Sequence, residues 1–141
     1  MKILILCTGN SCRSQMALGF LQSFDKRLEV HSAGTEPARK VNPMAIEVMK
    51  KIGVDISGHK PKNVEQYLNE DWDYVITVCD HANEVCPVFP GKVRNRLHMG
   101  FEDPSETKGN YTEILNEFYR IRNEIRDEFY NLYEKVLSKK I

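Results

Sequence analysis

The chain has no surplus of charge, because its 141 residues set 20 basic side chains against 20 acidic ones. That balance gives no reason to expect nucleic acid, an anionic membrane or an acidic disordered tail, so any preference for anions must be local. A long apolar run is missing too. The opening MKILILC is too short for a membrane span or a signal peptide and leads into Gly, Asn and Ser rather than a cleavage site. A cytoplasmic location with no membrane partner is expected. No internal repeat, linker or low-complexity stretch interrupts the chain. A chain of this length buries roughly two-thirds of its unfolded surface, so one domain over residues 1–141 is expected. Its four cysteines are not needed as structural disulfides, least of all in a reducing compartment. They read as reactive, metal-binding or buried.

Strand and helix patterns alternate. Lys2 to Leu6 is an apolar run ending at a Gly/Asn/Ser loop, and Met16, Ala17, Phe20, Leu21 and Phe24 then recur at helical spacing. LEVHSAGT (28–35) reads as a second strand. Asn42 and Pro43 start a helix with Ile46, Met49 and Ile52 on one face and Gly53 at its stop. A short helical stretch spans about Asn63 to Leu68, and YVITVC (74–79) and VRNRLHM (93–99) read as strands three and four. After a polar loop, a last helix begins near Asn110 with Glu113 reaching back to cap it. Its stripe of Ile114, Phe118, Ile121, Ile125, Leu132 and Val136 suits packing on a sheet better than a coiled coil. The expected fold is α/β: a doubly wound four-stranded parallel sheet flanked by helices, with active loops at the strand C-terminal ends.

The first of those loops is CTGNSCRS. Cys7 ends the strand, and Thr8, Gly9, Asn10, Ser11 and Cys12 must turn tightly into a helix that begins near Arg13 and Ser14. Backbone N–H groups at such a turn cradle a tetrahedral oxyanion, and Arg13 adds a planar fork of donors. The same donors favour thiolate, which makes Cys7 the expected nucleophile. Ser14 is placed to donate to that thiolate, Asn10 to hold the loop's shape, and Cys12 to pack. A nucleophile that expels oxygen needs a proton donor. In the loop after strand four, Asp103 is preferred to Glu102 because Pro104 restricts its backbone.

The remaining cysteines stand in CDHANEVCP. On a helix Cys79 and Cys86 are two turns apart, about 10 Å of rise, so a disulfide between them requires unwinding. Zinc is the other reading, but these spacings miss the usual knuckles and zinc would consume Cys7. Two buried cysteines are the third. No metal ligand set is assigned, and His81 in the same segment has no assigned role.

CTGNSCRSQMA, HSAGT, GVDISGH, VCDHANEVCP and FEDP, in this order, resemble the thioredoxin-coupled arsenate reductases, which share a fold with the low-molecular-weight protein tyrosine phosphatases. The resemblance implies that Cys7 attacks arsenate while Asp103 protonates the departing oxygen. Cys79 then attacks Cys7, releasing arsenite and leaving a transient Cys7–Cys79 disulfide. Attack by Cys86 gives Cys79–Cys86, which thioredoxin, the external reductant, reopens. No bound cofactor is implied. Potassium-binding members carry a glutamate where this chain has Leu18, which argues against potassium although Asn10 and Ser32 match. The alternative is a phosphatase that hydrolyses phosphomonoesters through a phospho-cysteine. DPSETKGN lacks the tyrosines expected there for gripping an aromatic substrate. A third reading, an oxyanion-binding module without turnover, needs neither Cys7 nor Asp103.

Overall fold

The computed structural model describes residues 1–80 and 84–141; His81, with Ala82 and Asn83, lies outside them. Four strands form one sheet: β1 (Lys2–Cys7), β2 (Glu29–Gly34), β3 (Trp72–Thr77) and β4 (Val93–His98). All pairings are parallel and the order is β2-β1-β3-β4. Central β1 is paired on both sides and covered on both faces, which is why it reads as an unbroken apolar run. From β1 the chain goes to one side for β2 and returns on the other for β3. Strand order therefore reverses beside the C-terminal end of β1, where Cys7 stands, and such a reversal opens a crevice for ligands.

Three helices share one core with the sheet: α1 (Arg13–Phe24), α2 (Pro43–Lys50) and α3 (Tyr111–Lys135). Ile3, Ile5, Tyr74 and Ile76 of the strands meet Met16, Phe20 and Leu21 of α1, Val48 and Met49 of α2, and Phe118, Ile121 and Ile125 of α3. Each such side chain contributes about 1.5–3 kcal/mol on burial. Phe129, one turn beyond Ile125, extends the expected stripe, and the stripe packs into this core rather than a coiled coil. The opposite sheet face, with Leu4, Leu6 and Val75, is covered by Tyr67 and Phe89. Tyr67 belongs to a 3₁₀ turn (Val64–Tyr67) inside the stretch expected to be helical.

Local signals act where the sequence places them. The Asn42 side chain accepts the Met44 N–H ahead of Pro43, and Gly53 takes φ 79° past the end of α2. Asn110 and Glu113 form the reciprocal cap of α3. The third strand differs: it begins at Trp72 and stops at Thr77, the last residue paired to both β1 and β4. Beyond it β1 turns away into the loop after Cys7. Val78 and Cys79 therefore run on, fully buried, past the sheet's end. Among the described residues no helix is long and apolar enough to cross a membrane.

Candidate active site

The loop from Thr8 to Cys12 carries its amides into the turn. The carbonyls of Thr8, Gly9 and Ser11 accept the N–H groups of Glu36, Ala38 and Asn42 on the loop's outer side. Every peptide bond described is trans, so in each of those units the N–H points opposite its carbonyl. The Gly9, Asn10 and Cys12 amides consequently face the loop's concave side, an array suited to an oxyanion.

Asn10 makes the turn possible. Its φ of 52° lies in the left-handed region, which asparagine tolerates better than most residues. Its side chain is fully engaged: Nδ2 donates to Ser14 Oγ (2.8 Å) and Ser32 Oγ (2.9 Å), while Oδ1 accepts from the Lys62 N–H (2.9 Å) and Gln15 Nε2 (3.1 Å). Sequence reasoning assigned Asn10 the loop's shape. It missed Gln15, whose Nε2 also bonds the Asn10 carbonyl (3.0 Å) and whose Oε1 pairs with His59 Nδ1 (3.2 Å).

This network also tests potassium. The Asn10 oxygen is already taken by two N–H donors, the Ser32 hydroxyl faces an amide donor, and Leu18 is an apolar core residue. The donor set does not fit the ion.

Gly34, at the end of β2, abuts the loop. A Cβ there would run into the Thr8 carbonyl and lie 3.2 Å from Asn10 Cβ. Backbone cannot swing aside as a side chain can, so Gly34→Ala should displace the loop. Phosphate affinity, measured by calorimetry, is expected to fall by about tenfold or more while the protein stays folded. Unchanged affinity would show that the loop tolerates the shift.

Arg13 opens α1 and is buried, yet four oxygens from three groups converge on its guanidinium. Nη1 donates to Glu84 Oε1 and to the Phe101 carbonyl (3.1 Å), and Nη2 to Glu84 Oε2 (3.2 Å) and Asp103 Oδ2 (3.5 Å). The other Asp103 oxygen caps the turn at Pro104, accepting from the Ser105 N–H (3.0 Å) and Oγ (2.7 Å). Glu102 points elsewhere, to Arg120 (3.1 Å), so of the two neighbouring carboxylates Asp103 is the one at Arg13. Glu84 was not foreseen: nothing in its spacing marks a residue 71 positions from Arg13 as its partner.

The Cys7 thiol is shifted the other way from expectation. Burial pushes the Cys7 thiol up; Arg13 and the Thr8 N–H pull it down without prevailing, and the charges of Glu84 and Asp103 add to the rise. The sequence led us to expect a thiolate because it showed the arginine but not the two carboxylates laid on it. Cys12 is buried, and its thiol is pushed up to about 12 by that burial, in keeping with packing.

Cys79 and Cys86 are joined by a disulfide with Cα atoms 5.8 Å apart. Residues Cys79, Asp80 and 84–86 are not helical, which meets the requirement that pairing unwinds the segment. The Glu84 N–H donates to the Asp80 carbonyl (2.9 Å). The fold also brings in His98, at the end of β4. Its ring nitrogen and the two sulfurs lie within 4.8 Å of one another, and Nδ1 pairs with Thr77 Oγ1 (2.7 Å). Two sulfurs bonded to each other offer no thiolate, so as found the trio is not a metal site.

Residues 2–141 match the sequence pattern of the low molecular weight phosphotyrosine protein phosphatase family. An arsenate reductase of Halalkalibacterium halodurans is 45% identical over 87% of this chain and 88% of its own. A solved arsenate reductase in its phosphate-binding state superposes with a TM-score of 0.78 at 32% identity, covering 96% of this chain and 98% of that one. A low molecular weight protein tyrosine phosphatase from Bacillus subtilis shares the fold, with a TM-score of 0.75 at 22% identity over the whole of both chains. This chain, whose strand β1 ends in Cys7 ahead of an amide-lined loop and Arg13, thus belongs to the low molecular weight phosphotyrosine protein phosphatase family, with arsenate reductases among its relatives.

Proposed function

We propose that this protein reduces arsenate to arsenite in the cytoplasm, drawing electrons from thioredoxin through its own cysteines. The observation that carries the reading is the Cys79–Cys86 disulfide, with Glu84 beside Cys86 touching Arg13. A hydrolase returns its cysteine to water and has no use for such a pair; a reductase must move two electrons and needs one.

The residues divide the work as follows. The Gly9, Asn10 and Cys12 amides and Arg13 bind the oxyanion, with Thr8, Ser11 and Ser14 completing the loop. Ser14 Oγ accepts from Asn10, which leaves its own hydroxyl hydrogen to donate to Cys7. Cys7 sulfur forms a bond to arsenic as an oxygen departs, protonated by Asp103. Cys79 sulfur then attacks Cys7 sulfur. The arsenic–sulfur pair stays with arsenic, which leaves as arsenite, and a Cys7–Cys79 bond replaces it. Attack of Cys86 on Cys79 frees Cys7 and gives the disulfide seen here; a dithiol reductant takes up that bond and returns two thiols. The side chains of Val85 and Val88, 91% and 85% exposed on either side of Cys86, give a protein reductant apolar surface to dock on.

The test is arsenate-dependent NADPH oxidation in the presence of thioredoxin and its reductase, beside hydrolysis of an aryl phosphate. Arsenate turnover with only slow ester hydrolysis is expected, because the loop's shape suits either tetrahedral anion. Fast ester hydrolysis without arsenate turnover would overturn the reading in favour of a phosphatase.

A further inference from the structure

The oxyanion loop of this oxidised structure already holds an anionic group near its arginine: a side chain of its own. Glu84 presents both carboxylate oxygens to the two terminal nitrogens of Arg13, and Oε1 also accepts the Asp80 N–H (2.6 Å). A carboxylate lying across the two terminal nitrogens takes that edge of the guanidinium as a bidentate oxyanion would. Burial opposes the charge on Glu84, but Arg13 and the Asp80 N–H outweigh it and hold the carboxyl below its ordinary value. At neutral pH the occupant is therefore an anion.

Glu84 reaches Arg13 from within the cross-linked segment, two residues before Cys86. On a helix, at about 100° per residue, Cys86 would return to within about 20° of Cys79, whereas Glu84 would lie about 140° round from it. A wound segment that keeps Cys79 toward Cys7 turns Glu84 away from that side. The contact with Arg13 is seen here with the disulfide closed.

We propose that Glu84 determines oxyanion affinity according to redox state, acting as an internal competitor that occupies Arg13 while Cys79 and Cys86 are joined and leaves it when they are reduced. The proposal deepens the reductase reading and rests on it for its purpose: a spent enzyme would not take up arsenate, or the far commoner phosphate, until its thiols are restored. Glu84 also adds negative charge beside Cys7, which helps keep that sulfur a thiol in the spent form. Because coupling is reciprocal, an oxyanion that displaces Glu84 must favour the dithiol form.

The test needs neither arsenate nor thioredoxin. Inorganic phosphate binding is measured by calorimetry on the oxidised protein and on protein reduced with dithiothreitol, for the natural chain and for Glu84→Gln. The natural chain should bind phosphate about tenfold more weakly when oxidised, and Glu84→Gln should bring the two forms to within about twofold. Titration against reduced and oxidised dithiothreitol supplies a second readout, in which one disulfide takes up two electrons and two protons and the small dithiol is oxidised. Saturating phosphate should shift that titration toward the dithiol in the natural chain and not in Glu84→Gln. Equal phosphate affinity in the two natural forms, or a gap that persists in Glu84→Gln, would overturn the proposal. Failure of arsenate turnover with the phosphate gap intact would instead overturn the reductase reading alone.

Discussion

Changing Cys86 to serine should leave a single turnover and remove the rest. In the proposed relay Cys7 and Cys79 suffice to expel one arsenite per protein, after which the bond between them has no resolving thiol. Cys79 is fully buried, so a protein reductant cannot reach that bond as it reaches one carried by the partly exposed Cys86. Arsenite release should therefore stop at one equivalent, and steady-state NADPH oxidation should fall by at least about 100-fold. Mass spectrometry should find a Cys7–Cys79 cross-link. Cys79→Ser should stop earlier still, without that cross-link. Steady turnover close to that of the natural chain in Cys86→Ser would remove Cys86 from the relay and return the structure's disulfide to the status of a bystander.

Arg13→Lys should be nearly as damaging with every cysteine in place. The guanidinium joins α1 to Glu84, the Phe101 carbonyl and Asp103 with two nitrogens held in one plane. An ammonium keeps the charge but cannot grip two oxygens of an anion at once, and it loses the fixed direction that serves charge developing in the transition state. We expect kcat/KM for arsenate to fall by about 10²- to 10³-fold, with most of the loss surviving at saturating arsenate. A thermal midpoint near that of the natural chain would separate lost catalysis from lost fold. Activity within about threefold of the natural chain would mean that the amides of the loop bind the oxyanion without it.

Much of this architecture was legible because its causes are local. An apolar strand ending in small polar residues, asparagine caps before Pro43 and Glu113, and a helical stripe from Ile114 onward each act on residues a few positions away. The parallel sheet and the place of Cys7 at its edge followed from alternation of such units. The resemblance, rather than spacing, suggested that Cys79 pairs with Cys86.

What remained hidden depends on residues distant in the chain. Gln15 and Lys62 lock Asn10, His98 approaches the disulfide, and Glu84 covers Arg13 across some seventy positions. The upward push on the Cys7 thiol was hidden for the same reason, since burial and every charge around it set the sign of a thiol's shift. The sequence by itself determined the alternation of strands and helices, the parallel sheet and the loop in which Cys7 and Arg13 stand six residues apart, because helical period, capping and apolar runs are properties of neighbours. Only the tertiary structure decided which carboxylates face Arg13 and which way the Cys7 thiol is pushed, because groups from three separate segments meet there at distances that no spacing along the chain encodes.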